Sequence, residues 1–410
     1  MNINHPSQTR LCTSCQICGA VCPTSAISIE LNEDGFYRPK VDLAKCVDCS
    51  LCTKSCYKFD NSVKPTADFD NKILYAAWAK DKQVVKSTTS GGIADLLAKK
   101  LISQGYKCIG VKYDPTSNRA IGVTAENEKE TEAFKGSKYI QSYSIDAFKE
   151  FVRNNKSNRY AIFGLPCQIY AINKYLVSKG ERNRHILIDL YCHGCPSLNL
   201  WKKYTNELLD KHNCTKIISA NFRSKMRGWG IYNMSLLLLL ENDKYKVDIL
   251  SPRINDYFFD LFFSDIILND SCYDCSLRST LEYTDIRLGD FWGKSFVMNH
   301  TGVSGITLCT EAAKNLFIEI KNEIEFTQEK FCNFLPYQSY GKCYKISTET
   351  RQIILKQLAD KSIALRESIT TYKKSLSVKN RIILNIKNIA KLLPQSIVSL
   401  IRSVIYILHK

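Results

Sequence analysis

From Ser368 to Lys410 the chain contains no aspartate or glutamate. It also lacks an apolar run that reads as a membrane span: the longest in the tail is interrupted by Arg402 and is too short. The opening MNINHPSQTR has none of the basic start, apolar stretch and small-residue cleavage site of a secretory signal. Each absence excludes something. Without export, a dense disulfide framework is not expected for the eighteen cysteines, and a cytoplasmic, reducing location turns close cysteine spacings toward metal. The net charge of +17 is uneven: the acid-free tail holds eight lysines or arginines, and without those eight the body carries only +9. No groove-reading motif accompanies that charge, so nucleic acid is not an expected partner.

What the chain does have is thiol crowding. CTSCQICGAVCP, Cys12 to Pro23, is echoed by CVDCSLCTKSC, Cys46 to Cys56, at a constant offset of 34 residues. Cysteines at i, i+3 and i+6 let one loop wrap a cubane cluster with backbone N–H groups turned toward the sulfurs. In the spacing C-x2-C-x2-C-x3-C the last cysteine of each run serves the other cluster. The expectation is Cys12, Cys15, Cys18 and Cys56 on one 4Fe-4S cluster, and Cys46, Cys49, Cys52 and Cys22 on a second. Zinc sites use pairs of cysteines, and a triple occurring twice does not suit them. One departure stands out. Pro23 follows the first run, but Tyr57 holds that place in the second, a change expected to affect only the exit turn.

At 410 residues the chain is long enough for two or three domains. Residues 1–57 read as a small α+β ferredoxin domain, and 58–72 as a polar linker without periodicity. From Ile73 onward short apolar runs alternate with helical stretches. ILYAAWA, KCIGVKYD, RYAIFG and HILIDLYC read as strands. GGIADLLAKKLISQG, PCQIYAINKYLVSKG and SLNLWKKYTNELLDKH read as helices. This is the pattern of a mixed α/β domain with ligand sites at strand-to-helix turns. Around residues 216–250 the alternation weakens, and IYNMSLLLLLEN over 231–242 reads as a strand in an antiparallel patch.

Four stretches of that domain are candidates for chemistry. STTSGG, Ser87 to Gly92, precedes a helix and suits either a phosphate or a plain N-cap. FKGSKYIQS places two lysines around Gly-Ser with a tyrosine able to stack on a planar ring, yet a solvated loop would look the same. FGLPCQ fixes the lone Cys167 at a turn as nucleophile, metal ligand or buried thiol, with no partnered base in view. DLYCHGC and SCYDCSLR supply Cys192, Cys195, Cys272 and Cys275. Two C-x2-C pairs suit zinc, whereas a third cluster needs only four of these and Cys167; spacing leaves both open. Cysteines 108, 214, 309, 332 and 343 are scattered and read as structural.

Taken together, TSGG (89–92), KGSKY (135–139), GLPCQ (164–168), DLYCHG (189–194), FRSKMRGWG (222–230), SCYDCSLR (271–278), DIRLGDFWG (285–293) and GVSG (302–305) resemble the family of coenzyme F420 hydrogenase/dehydrogenase beta subunits. They run in the family's order, behind a ferredoxin module that is common in it. The resemblance implies a flavin-binding α/β domain over about 73–345, holding FAD and a further 4Fe-4S cluster. On this chain it points to Cys167, Cys192, Cys272 and Cys275 as third-cluster ligands, with Cys195 as substitute. It points to Ser90, Gly91, Gly92, Lys135, Gly136, Ser137, Lys138 and Tyr139 as flavin contacts, and to Gly289–Gly293 as shaping their surroundings. No catalytic residue follows from it. The implied activity is that of an oxidoreductase passing single electrons from 4Fe-4S clusters through FAD to a two-electron organic acceptor, a deazaflavin or other small molecule. Ferredoxin is a plausible protein partner. The alternative is a non-catalytic electron-transfer subunit that feeds a partner enzyme. Lysines near the flavin would favour its anionic reduced form.

The remaining 346–410 read as a helical basic tail. Lysines and arginines spread through apolar sequence suit a helix packed on its own core or one lying peripherally on an anionic membrane.

Overall fold

The computed structural model describes residues 1–240 and 246–408. Glu241 and Asn242, at the end of the strand expected over 231–242, and Lys410 of the tail lie outside them.

The strands are β1 (Ile27–Leu31), β2 (Tyr37–Val41), β3 (Ile73–Ala79), β4 (Tyr106–Asp114), β5 (Arg119–Ala125), β6 (Ser142–Tyr143) and β7 (Arg159–Phe163). They continue with β8 (Ile186–Leu190), β9 (Cys214–Asn221), β10 (Ser235–Leu240), β11 (Lys246–Leu250), β12 (Ile286–Asp290), β13 (Ser304–Leu308) and β14 (Ile324–Glu329). Nine build one mixed sheet in the order β14-β3-β13-β12-β8-β7-β4-β5-β6. Its centre, β12, β8, β7 and β4, is parallel. RYAIF and ILIDL are almost continuously apolar because helices cover both faces of a parallel sheet. Tyr160, Ala161, Ile162 and Leu187 are fully buried there. On one side β13, β3 and β14 join antiparallel, and on the other β5 does. The fold is mixed α/β.

The helices follow their local signals. Pro166 opens Pro166–Lys179, where its missing N–H costs nothing, and Gly180 ends it in the left-handed conformation. Helices Ile145–Asn154 and Pro166–Lys179 cover one sheet face through Phe148, Phe151, Ile169 and Ile172. Helices Ile93–Ser103 and Glu311–Ile320 cover the other through Leu97, Leu101, Leu316 and Phe317. The weak stretch is a separate antiparallel sheet with β10 between β9 and β11.

The N-terminal region is not a bead on a string. Gln16 donates from Nε2 to the Ser142 carbonyl (2.6 Å) and accepts the Ser144 N–H (2.8 Å), reading the backbone beside β6. Gln141 returns the grip, donating to the carbonyls of Gly35 and Pro196 at 2.7 and 2.9 Å. A Cβ on Gly19 would stand 2.8 Å from Ile145 Cδ1 and 3.2 Å from the Ile27 carbonyl oxygen, so a larger residue would push on both. The segment over 58–72, expected as a linker, lacks regular structure beyond Phe59 but is packed as a strap. Val63 and Thr66 are buried, Thr66 N–H donates to the Ser279 carbonyl (2.9 Å), and Phe69 lies 4.5 Å from the Phe331 ring. Composition marked its irregularity but not its anchors, which come from distant sequence.

Candidate functional site

The two cysteine runs fold alike. Ser14 and Gln16 in the first, and Asp48 and Ser50 in the second, all have φ between 48° and 70°. The left-handed residues thus repeat at the same offset as the cysteines. Such φ values are unfavourable for non-glycine residues; alternating them with ordinary ones curls a chain round a central object and points its N–H groups inward. Each curl ends in a one-turn helix, Ile17–Ala20 or Leu51–Lys54, carrying the buried Cys18 or Cys52.

Two cavities result. One is lined by Cys12, Cys15, Cys18 and Cys56, with Ile29, Tyr37 and Pro39 as apolar wall. The other is lined by Cys22, Cys46, Cys49 and Cys52, with Ile27 and Val47. Each takes three cysteines from one run and the fourth from the other, the grouping expected from spacing. Burial drives the Cys15 thiol up to about 11, and Cys18 and Cys56 also far above the ordinary range. Neutral thiols do not gather without cause, and cationic iron turns such a set into stabilised thiolates. Among the described residues, no three His, Cys, Asp or Glu groups converge as they would round a single ion. Four cysteines round each cavity are the donor set that a 4Fe-4S cluster takes.

A third set lies at the large sheet. Cys167 is at the start of helix Pro166–Lys179, after β7; Cys192 follows β8; Cys272 and Cys275 lie on the loop before β12. Burial raises Cys167 strongly, and Cys15, Cys192, Cys275 and Cys272 are close enough to raise it further. Cys195 interacts instead with Cys272 and Cys192. Cys192 and Cys272 are pushed up to about 11 and about 12 by burial. Beneath them Arg287 clasps the buried Asp189, Nε to Oδ1 at 2.7 Å and NH2 to Oδ2 at 2.5 Å. Arg287 also donates to the carbonyls of Arg278 and Leu277, fixing the loop just past Cys275. Arg278 in turn donates to the Cys272 and His193 carbonyls. Sequence reasoning passed over both arginines, although each stands inside a quoted motif.

Tyr57 links the first and third sets. Its hydroxyl accepts from Ser276 N–H (3.1 Å) and from Arg10 (2.5 Å), and its ring packs edge-on to Tyr170. Far from affecting only an exit turn, it is buried between the halves. Of the scattered cysteines, Cys108 and Cys214 are buried, whereas Cys332 and Cys343 are exposed and so are not core residues.

The remaining motifs meet at the C-terminal edge of the parallel strands, where open α/β sheets bind ligands. Ser137 N–H donates to Thr89 Oγ1 (2.7 Å), joining the KGSKY and TSGG loops. Ser90 Oγ donates to the Val303 carbonyl, and Gly91 N–H to Ser304 Oγ. A Cβ on Gly91 would sit 2.4 Å from the Ala77 carbonyl. Gly92 is left-handed at φ 87°. Gly136, at φ +81°, has nothing within 4 Å of where a Cβ would lie, so its backbone faces open space.

Two expected flavin contacts are spent elsewhere. The Lys138 ammonium donates to the carbonyls of Ala133, Phe134 and Lys135, and burial lowers it to about 7. The Tyr139 hydroxyl accepts from Arg223 (3.0 Å). Arg223, itself buried, pairs with Asp290 at 3.1 Å and lies 3.6 Å over the Tyr232 ring. Lys135 keeps partial exposure but is bridged to Glu132 (2.7 Å) and Asp95 (3.6 Å), which offset the positive field expected of it. The partly exposed rim is Thr89, Ser90, Lys135, Gly136 and Ser137, with Lys138 and Tyr139 held behind it.

Comparison with known proteins matches residues 157–331 to the C-terminal region of the beta subunit of coenzyme F420 hydrogenase/dehydrogenase, and residues 11–58 to a 4Fe-4S dicluster domain. The F subunit of the F(420)H(2) dehydrogenase of Methanosarcina mazei is 24% identical over 195 residues, 44% of this chain and 52% of that protein. This chain thus spans about half the length of that relative. An uncharacterized protein of Methanocaldococcus jannaschii, MJ1349, is 25% identical over 279 residues, 61% of this chain and 72% of the other. A chain of the F420-reducing [NiFe] hydrogenase complex of Methanosarcina barkeri superposes with a TM-score of 0.44 at 14% identity, covering 77% of this chain and 93% of that one.

Proposed function

From a chain that matches the beta subunits of coenzyme F420 hydrogenase/dehydrogenase over residues 157–331 and a 4Fe-4S dicluster domain in front of them, we propose an iron–sulfur flavoprotein oxidoreductase that moves electrons along its cysteine sets to a small organic acceptor. The observation that carries this reading is the succession of thiols. The Cys46 cavity opens at exposed Cys49; the Cys12 cavity lies inward; Cys15 and Cys167 are electrostatic neighbours.

In this reading Cys12, Cys15, Cys18 and Cys56 hold one 4Fe-4S cluster and Cys22, Cys46, Cys49 and Cys52 the second. Cys167, Cys192, Cys272 and Cys275 hold a third. FAD, when bound, supplies the exchange between one-electron carriers and two-electron organic chemistry. Thr89, Ser90 and the Lys135–Ser137 turn would hold it, with Gly91 and Gly92 setting the loop that presents Ser90. The protein's own contribution is positional and electrostatic. Buried Ile29 and Tyr37, with Pro39, limit water at the first set, and Arg278 and Arg287 favour the ionised form of Cys192. Exposed Leu43 and Val47 beside Cys46 offer an apolar landing for an electron-carrying protein such as ferredoxin. Peripheral membrane contact through the tail belongs to the same reading.

A second reading is a non-catalytic subunit that relays electrons to a partner enzyme; the spent contacts of Lys138 and Tyr139 favour it. Turnover separates the two. Anaerobic protein reconstituted with FAD and supplied with reduced ferredoxin should reduce a soluble deazaflavin or other low-potential acceptor catalytically. Reduction of the clusters with no turnover of any acceptor would favour the relay.

A further inference from the structure

The helices Val378–Ala390 and Gln395–Leu408 leave apolar residues exposed beside their basic ones. A globular protein turns its apolar stripe inward. Here helix Val378–Ala390 has no buried residue, and Val378, Ile382, Ile383, Ile386 and Ile389 are all exposed, Val378 at 72% and Ile389 at 64%. Its half-buried positions are Leu384, Asn388 and Ala390. In the next helix Ser399 is buried while Ile397, Leu400 and Ile401 are exposed. The preceding helices behave normally: Thr348–Ala359 buries Ile354, Leu355 and Leu358, and Leu365–Ser375 buries Ile369.

The turn between Val378–Ala390 and Gln395–Leu408 is fastened to the body. Lys391 pairs with the buried Asp260 at 3.2 Å, and Arg253 donates to the Leu393 carbonyl at 2.9 Å. The hairpin is therefore held at its turn with Ile382, Ile383, Ile386, Ile389, Ile397 and Ile401 exposed. Lys379, Arg381, Lys387 and Arg402 are interleaved with that face, and no acidic residue occurs from Ser368 onward. No helix among the described residues is long and apolar enough to cross a membrane.

We infer that this hairpin is a docking surface for an anionic lipid bilayer, on which it lies flat. Charge complementarity selects this occupant: a stripe of isoleucines enters the acyl boundary while basic side chains stay at anionic headgroups. A second copy of the same acid-free face would instead set cation against cation. The inference deepens the peripheral-membrane part of the proposed function and does not depend on cofactor content.

The test is co-sedimentation of the full-length, cluster-loaded chain with vesicles of phosphatidylglycerol and phosphatidylcholine, against phosphatidylcholine alone. The expected result is binding to the anionic vesicles about tenfold or more above the neutral ones, weakened by salt. Ile382→Ser/Ile386→Ser/Ile389→Ser, at exposed positions, should abolish it, and Lys379→Gln/Arg381→Gln/Lys387→Gln should remove the preference for anionic lipid. Iron content read on each variant separates loss of this surface from loss of the redox core. Equal sedimentation with both vesicle types, no sedimentation, or retained binding by the isoleucine variant would overturn the inference. So would concentration-dependent dimerisation that the isoleucine variant loses, which would make a second copy the occupant.

Discussion

The hydroxyl of Tyr57 accepts the backbone N–H of Ser276 across 3.1 Å. The residue after the last cysteine of the N-terminal repeat thus touches the residue after Cys275. One hydrogen bond ties the first cysteine cavity to the third set, and Arg10 reinforces it from the other side.

Tyr57→Phe keeps the ring but leaves Ser276 N–H without its acceptor and Arg10 with only the Asp60 carbonyl and Ser276 Oγ. The expected cost is about 1–3 kcal/mol, read from denaturant unfolding, with iron retained at the N-terminal cavities. Tyr57→Pro restores the residue the repeat leads one to expect, yet should cost more, because it also empties a buried aromatic site. A proline variant as stable as the parent would show that the ring is incidental.

The clasp between Arg287 and Asp189 is buried at both ends. Arg287→Met strands a carboxylate and frees the carbonyls of Leu277 and Arg278. A loss of roughly 3–5 kcal/mol is expected, together with selective loss of the electron paramagnetic resonance signal of the proposed third cluster. If stability falls while that signal stays intact, Arg287 does not position the Cys275 loop.

Exchange of ligands between the runs has a non-additive signature. Cys56→Ser and Cys15→Ser should each remove about four irons, and the double variant no more than either. Cys56→Ser with Cys49→Ser should remove about twice as many. Additive loss in the first pair would mean that Cys56 serves the other cavity.

His185 supplies a pH dependence. Buried beside β7, it accepts the Tyr160 N–H at its Nδ1, and burial lowers its pKa from 6.5 to about 4. The unfolded chain therefore takes the proton first as pH drops. Its stabilising contribution is complete above pH 6.5 and is lost progressively toward about 4, roughly 3 kcal/mol in all. His185→Gln should flatten the acid side of the difference in unfolding stability over this window. An unchanged slope would place the acid sensitivity elsewhere.

The parts legible in the sequence were those with local causes. The cysteine repeat announced its own cross-pairing, Pro166 and Gly180 bracketed their helix, and RYAIF and ILIDL declared buried strands. What escaped depends on residues far apart in the chain. Nothing local in GVSG says that Ser304 will receive Gly91 N–H, or that β13 will run antiparallel between β3 and β12. Only the resemblance pointed to Lys138, and the backbone carbonyls that its ammonium meets are not displayed by sequence. Tyr57 looked like a missing proline because its partners, Ser276 and Arg10, lie elsewhere. The isoleucines of Val378–Ala390 were visible, but their exposure was not.

The most direct test of a three-cluster flavoprotein is anaerobic purification followed by iron, sulfide and flavin quantification on one sample. About twelve irons and twelve sulfides per chain with one FAD are predicted. About eight irons and no flavin, even after reconstitution, would contradict this and leave an electron relay confined to the two N-terminal clusters.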